Sequence, residues 1–283
     1  MSSNEIKTHG NDDFPIELHT VDETHPQYEM AYHWHKNIEI IRILRGELAI
    51  SLNQKVFVAK EGTIVIINTG AIHGIYPKDC VYEYVSYDPD ILPPLAYMGE
   101  DFSKNLVHGG LRLNEAIEPE QTEFHHCANA LFESLTSDSH SSRYETIGLL
   151  CNLYAIIIKN KLYYQVLDTT MESGNHIAKL KKALTYICAN YQSDLSLEDM
   201  ASQAGMSRKY FCTFFKQYTH QSPFDYLISY RISRATYSLL TTEDDITTIA
   251  FRHGFNDLSY FIKTFKSIKG MSPGAFRKSR FRQ

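Results

Sequence analysis

The chain has 283 residues, 43% hydrophobic and 22% charged, an ordinary globular composition long enough for two domains with separate cores. Its five cysteines, Cys80, Cys127, Cys151, Cys188 and Cys212, are odd in number and scattered, which argues against a disulfide framework and for reduced thiols in a cytoplasmic setting. The overall charge of −5 hides a division: residues 176–283 carry 16 Lys+Arg against 8 Asp+Glu, and residues 1–175 carry 12 against 25. The basic part attracts polyanions and the acidic part is repelled by them.

The first residues, Met1 to Glu5, have no basic patch ahead of an apolar run and read as no secretory signal. Residues 1–30 are polar and irregular and read as an arm. From His33 to about Asp88 the pattern is of short strands: Ile38–Leu44, Glu47–Leu52, Lys55–Ala59, Thr63–Asn68 and Val81–Tyr87. Turn residues separate them at Arg45-Gly46, Asn53-Gln54, Glu61-Gly62 and Thr69-Gly70. Many short strands at even spacing predict a small barrel or sandwich. After a loop region over 88–118, Pro119-Glu120 suits a helix start. Phe124, Cys127, Ala128, Leu131 and Leu135 then recur at helical spacing. A second helix from about Arg143 places Ile147, Leu150, Cys151, Tyr154 and Ile158 on one side. Its most apolar stretch, Ile147–Ile158, is too short to span a membrane and is interrupted by Asn152. These two helices fit either dimerisation or packing on their own barrel. The polar segment 168–175, with Ser173-Gly174, reads as a linker, and everything after it as helical.

The C-terminal region repeats itself at a spacing of 50 residues. Tyr210-Phe211 aligns with Tyr260-Phe261, Phe215-Lys216 with Phe265-Lys266, and Ser222-Pro223 with Ser272-Pro273. Upstream, Ala201 and Gly205 match Ala250 and Gly254 at an offset of 49, so the second copy has one more residue in its turn. A small residue lets two steeply crossed helices touch, a glycine turns the chain between them, and Ser207 or Asp257 caps the helix that follows. Each copy is therefore a helix-turn-helix: Leu197–Gly205 then Ser207–Tyr218, and Ile246–Gly254 then Asp257–Ile268. A long helix over Phe224–Leu240 separates them.

Helical spacing sorts the recognition-helix residues. Phe211, Phe215 and Tyr218 mark the core side of the first, leaving Arg208, Lys209, Cys212, Thr213 and Lys216 to face DNA. In the second, Phe261, Phe265 and Ile268 mark the core side, leaving Leu258, Ser259, Ile262, Lys263 and Lys266. Arg208, Lys209 and Lys263 suit guanine edges, and Thr213 and Leu258 a thymine methyl. Ser259 is permissive, and Lys216 and Lys266, late in their helices, suit phosphates.

Residues 197–280 resemble the DNA-binding domain of the AraC/XylS family of regulators. The match is closest at Ile249-Ala250, Gly254-Phe255, Tyr260-Phe261, Phe265-Lys266, Gly270, Ser272-Pro273 and Phe276-Arg277. The resemblance implies double-stranded DNA as a partner, with both recognition helices on one face of the duplex, about one helical turn, roughly 34 Å, apart.

His33-Trp34-His35, three residues, Glu39, six residues and Gly46 fit the first motif of cupin barrels. Gly62, Asn68, Gly70 and His73 resemble the second, with Asn68 where that motif usually has Pro. Strand alternation puts His33, His35 and Glu39 on one face, so that with His73 they form a candidate metal set. Regulatory cupins of the AraC family carry such a segment and use the barrel to hold an effector, often a sugar, mostly without being enzymes. The effector-binding set is then His33, His35, Glu39, Ile41, His73 and Tyr84, with Trp34 at the rim; no cofactor is called for. Three readings stand: a ligand-responsive regulator, a metal-dependent cupin enzyme, and a regulator without an effector.

The expected fold is multidomain. A cupin-like all-β barrel with flanking helices occupies 1–118, a helical dimerisation segment 119–167 and a linker 168–175. An all-α domain with two helix-turn-helix units fills 176–283. The favoured function is a cytoplasmic activator of carbohydrate-utilisation genes, with a sugar-like effector, RNA polymerase and a second copy as partners, and no membrane.

Overall fold

A computed structural model describes residues 14–25, 27–52, 55–91, 102, 105, 106, 109–137, 139–166 and 171–279. The start of the expected arm, the Asn53-Gln54 turn, most of 92–108 and the first residues of the expected linker lie outside the described residues.

The N-terminal domain is built on one antiparallel sheet. Strands β1 (Ile16–Val21), β2 (Met30–His33), β3 (Ile38–Leu52), β4 (Lys55–Lys60), β5 (Ile64–Ile67), β6 (His73–Tyr87) and β8 (Ala116–Ile117) form it. Its order is β1-β6-β3-β5-β8, with β2 also on β6 and β4 on β3. Strand β1 lies wholly within the stretch that reads as an arm and β2 begins at its last residue; β1 is held by six residue pairs with β6. The expected break at Arg45-Gly46 is a bulge inside one 15-residue strand. Gly46 adopts φ +82°, and a Cβ there would lie 2.2 Å from the Asp79 carbonyl oxygen, so only glycine lets β3 pass β6.

Alternation gives the sheet two buried faces. On the outer face Ile38, Ile40, Ile64, Ile66, Val85 and Tyr87 meet α1 (Thr122–Ser134) and α2 (His140–Lys159). The apolar sides of these helices are thus spent on their own sheet. Strands β7 (Leu111–Leu113) and β9 (Tyr163–Gln165) pair with each other beside the helices. The second helix starts earlier than Arg143, at a Ser139–Ser142 capping box. Ile158, expected in its buried stripe, is 45% exposed, and Leu153, Ile156 and Ile157 are buried instead. On the inner face Ile41, Ile43, Leu48, Ile50, Val65, Ile67, Tyr82 and Tyr84 form a separate core.

The C-terminal domain is helical: α3 (Met171–Asn190), α4 (Leu197–Gln203), α5 (Arg208–Thr219), α6 (Pro223–Thr241), α7 (Ile246–Arg252), α8 (Leu258–Lys269) and α9 (Pro273–Ser279). Helix α3 already covers 171–175 of the span that reads as a linker. The domain holds two cores, one around Phe211, Phe214, Phe215 and Tyr226 and one around Ile249, Phe255, Phe261 and Phe265. Helix α6 contributes to both, with Ser222 capping it and Pro223 in its first turn. Among the described residues no helix is long and apolar enough to cross a membrane.

Candidate functional site

Both helix-turn-helix units close; Asp257 caps α8 by accepting from the Tyr260 amide at 2.6 Å, whereas Ser207, expected as its counterpart, makes no side-chain capping bond to α5. Ala201 and Ala250 are fully buried where the paired helices touch. A capping box between Ser196 and Asp199 starts α4, and Asp245 caps α7 by accepting from the Thr248 amide at 2.9 Å. The turns differ by one residue: four residues separate α4 from α5, and five separate α7 from α8. Gly205 and Gly254 take positive φ, at +62° and +81°. Only the second is crowded. Its Cβ would sit 2.7 Å from the Tyr191 carbonyl oxygen and 2.8 Å from Arg231 Nε. That guanidinium, on α6, donates to the carbonyls of Tyr191 and Ser193, both at 2.7 Å, and so ties α6 to the chain entering the first unit, beside Gly254. Beside it, buried His253 meets Ser238 Oγ at 2.8 Å and Tyr191 Oη at 3.2 Å. Burial, then Arg234 and Arg252, push its pKa down to about 4, so it serves as a neutral link between the units.

Arg208, Lys209, Thr213 and Lys216 are exposed on α5, and Ser259, Ile262, Lys263 and Lys266 on α8. Cys212 is half-buried, and so is Leu258, which packs on the second core and therefore presents less to DNA than helical spacing suggests. Ile268, expected on the core side, is 38% exposed. Helical spacing assigns Tyr210 and Tyr260 to neither side of their helices. They are 52% and 51% exposed at equivalent positions of the two recognition helices. Their repetition at 50 residues together with the buried Phe one step on was the available signal.

Arg208 Nε is held by Glu198 at 2.9 Å, both side chains being mostly exposed. A surface pair of this kind is worth at most about 1 kcal/mol, so DNA can take the arginine away. Glu198→Gln is expected to raise affinity severalfold by freeing Arg208 and removing a negative charge near the phosphates. Fluorescence anisotropy at fixed salt checks this, and a fall in affinity would mean that the carboxylate itself takes part in binding.

The second site lies at the other end of the charge division. β2, the residues after it, β3 and the start of β6 bring His33, His35, Glu39 and His73 together on the inner face. Ring centroids are 4.1 Å apart for His33–His73, 4.9 Å for His35–His73 and 5.5 Å for His33–His35. Glu39 lies against them, with Oε1 3.1 Å from His35 Nε2 and Oε2 3.7 Å from His73 Nε2. Burial holds His33 down to about 4 and His73 well below its usual value, with the neighbouring imidazoles adding to the shift. For Glu39 burial works against ionisation, but the facing imidazoles of His35, His73 and His33 prevail and hold it ionised. Ile41 and Tyr84 lie deeper on the same face and are fully buried. Asn68, the departure from the cupin motif, is buried and bridges the Leu113 backbone, donating to its carbonyl at 2.9 Å and accepting from its amide at 2.8 Å.

Two domain models divide this architecture at the same place. Residues 16–155 match the AraC-like ligand binding domain and residues 200–279 a helix-turn-helix domain. The chain belongs to the AraC family of transcription regulators. Related over nearly its whole length is the uncharacterised HTH-type transcriptional regulator YdeC of Bacillus subtilis, 25% identical over 87% of this chain and 85% of its own. The HTH-type transcriptional activator RhaS of Mannheimia succiniciproducens is 25% identical over 78% and 85%. The raffinose operon transcriptional regulatory protein RafR of Pediococcus pentosaceus is 30% identical over 42% and 45%. These relatives and the matched domains are regulators, not enzymes, and this AraC-family chain is a DNA-binding transcription regulator.

In this regulator the inner-face site abuts the DNA-binding domain. Trp34, expected at a pocket rim, packs instead on the first helix-turn-helix core, with Lys181 Nζ of α3 4.4 Å above its ring centroid. Tyr32 and Ile72 are buried in that same core. Tyr226 Oη of α6 donates to the Tyr32 carbonyl at 2.6 Å. Lys269, ending α8, meets Glu29 at 2.6 Å. Long-range packing of this kind leaves no local sequence pattern.

Proposed function

We propose that this AraC-family regulator is a cytoplasmic, ligand-controlled activator of carbohydrate-utilisation genes. A small sugar-like effector is received by His33, His35, Glu39, His73 and Tyr84, with Ile41 as apolar floor and Trp34 passing the change to the DNA-binding domain. The observation that carries the reading is the polar cluster on the inner face, placed directly against the domain that binds DNA. Imidazoles and a carboxylate bond hydroxyl groups, and an aromatic ring gives a sugar face something to stack on. The names of RafR and RhaS, a raffinose operon regulator and an activator, favour the same direction.

On DNA, Arg208, Lys209, Cys212 and Thr213 read one half-site and Leu258, Ser259 and Lys263 another, with Lys216 and Lys266 on phosphates. The two sets differ in chemistry, so one protomer's element is asymmetric. RNA polymerase and a second copy complete the reading as partners. Tyr144, 79% exposed on α2, offers the second copy an aromatic anchor.

Genome-wide mapping of bound sites, followed by a thermal-shift screen of the full chain against a sugar panel, tests this. At least one sugar is expected to raise the melting temperature and to change affinity for a mapped promoter. A panel without any such sugar, or bound sites away from carbohydrate genes, rejects it.

A further inference from the structure

The junction between the two domains gathers positive charge with nothing to answer it. Lys181 of α3 holds its Nζ 4.4 Å from the Trp34 ring centroid, and a Cβ added at Gly70 would sit 2.9 Å from the same nitrogen. Asn68 ties that turn to β7 through both of its hydrogen bonds to the Leu113 backbone, and β7 carries Arg112. Two cations, one from each domain, thus come together beside one indole ring. Burial, then the charge of Arg112, push the Lys181 ammonium down to about 8.

The donors at this junction are also unspent. Arg112 Nη1 and Trp34 Nε1 are buried with no hydrogen-bond partner. Among the described residues neither Arg112 nor Lys181 forms an ion pair, and Glu115, three residues beyond Arg112, is taken by Tyr164 Oη at 2.5 Å. Guanidinium, ammonium and indole N–H groups donate and cannot accept, so they cannot satisfy one another. A neutral acceptor would serve one donor and leave the two charges repelling; an oxyanion answers both needs. A phosphoryl group matches the set best. It carries about 1.5–2 negative charges near neutral pH and three acceptor oxygens, one for each donor group. A carboxylate offers a single charge and two oxygens.

We propose that Arg112, Lys181 and the Trp34 N–H form a binding site for a phosphoryl group at the junction between the two domains. The group arrives as inorganic phosphate or on a small phosphorylated metabolite, and the chemistry that recognises it is the same. Arg112 presents the planar fork that suits phosphate oxygens, and Lys181 adds a point charge. The site is separate from the inner-face cluster, since Trp34 belongs to the first helix-turn-helix core, and it does not depend on the sugar reading. Its consequence follows from which domain owns each donor. Arg112 and Trp34 come from the N-terminal domain and Lys181 from the helix that opens the DNA-binding domain, so occupancy fastens one to the other through charge.

Thermal unfolding of the full chain, titrated with sodium phosphate against sodium chloride of equal ionic strength, tests the site. Phosphate is expected to raise the melting temperature saturably, by about three degrees at roughly tenfold excess over its dissociation constant, and acetate is not. Arg112→Gln should abolish that rise. Without phosphate its melting temperature should be no lower than that of the wild type, because the change removes an uncompensated buried charge. A rise that chloride reproduces, that persists in Arg112→Gln, or that only acetate produces overturns the site. So does a fall of several degrees in the phosphate-free melting temperature of Arg112→Gln, which would make the guanidinium a structural group. A hexose 6-phosphate that binds about tenfold tighter than inorganic phosphate identifies a metabolite as the source. Equal or weaker binding identifies inorganic phosphate, and either result supports the site.

Discussion

Gly254→Ala is expected to lower the melting temperature by ten degrees or more, and Gly205→Ala by about half as much. The two glycines occupy the same place in the two units and both have positive φ. Left-handed backbone costs an L-residue about 1–2 kcal/mol, and this is all that alanine meets at position 205, where a Cβ has nothing within 4 Å. At 254 the methyl group runs into the Tyr191 carbonyl oxygen at 2.7 Å and displaces Arg231 Nε from the bond it makes there. Overpacking against rigid backbone adds about 1–3 kcal/mol, and a domain of this size moves roughly 4–8 °C per kcal/mol. Differential scanning fluorimetry decides it. Equal shifts for the two variants would mean that the Arg231 bracket does not hold the second unit. Loss of binding at the second half-site should accompany the larger shift, because this glycine sets the angle at which α8 leaves α7.

The double helix-turn-helix was legible because its determinants are local. Ala201 and Ala250, the two turn glycines and the cap Asp257 act within a few residues of where they sit, so their spacing carries the fold, although Ser207, read as the equivalent cap, makes no such bond. What was missed depends on partners far along the chain. Strand β1 alternates like its neighbours but sits in a polar surrounding, and only β6, more than sixty residues on, makes it a strand. Gly46 gives the same local signal as a hairpin glycine. Close passage of β6 at Asp79 turns it into a bulge. Ile268 continues the helical stripe, but the second core ends at Phe265 and leaves it outside. The inner-face polar cluster could be read from spacing, yet its position against the first helix-turn-helix core could not. Neither could the contact of Trp34 with Lys181.

The charge division takes on a mechanical sense once these contacts are counted. Glu29 of the acidic half holds Lys269 of the basic half, and Arg208 is held by Glu198 within the basic half itself. Neither contact covers Lys263, Lys266 or Lys216, which stay exposed with the domains docked. Control by the N-terminal domain is thus better matched to the spacing and angle of the recognition helices than to blocking them. Helix α6, which touches Tyr32 and carries both units, is the element through which that spacing would change.

Lys263→Ala is expected to abolish discrimination at one base pair of the second half-site, by about 1–3 kcal/mol, while leaving the first half-site's preferences intact. Lys266→Ala, three residues on, is expected to weaken binding to all sequences alike and to reduce the salt slope by about 1. Both side chains are exposed, so neither change should disturb folding and the contrast isolates the DNA contact. The difference comes from position along α8. Residue 263 stands on the turn nearer the helix N-terminus, which enters the groove, whereas residue 266 lies a turn later toward the phosphate backbone. In the first unit Thr213 occupies the place of Lys263, so a lysine-dependent preference should appear in one half-site only. Anisotropy titrations with each half-site varied in turn, at three salt concentrations, measure both quantities. A uniform loss for Lys263→Ala would move that residue to the phosphates and leave Ser259, with the exposed Tyr260 beside it, to read the second half-site.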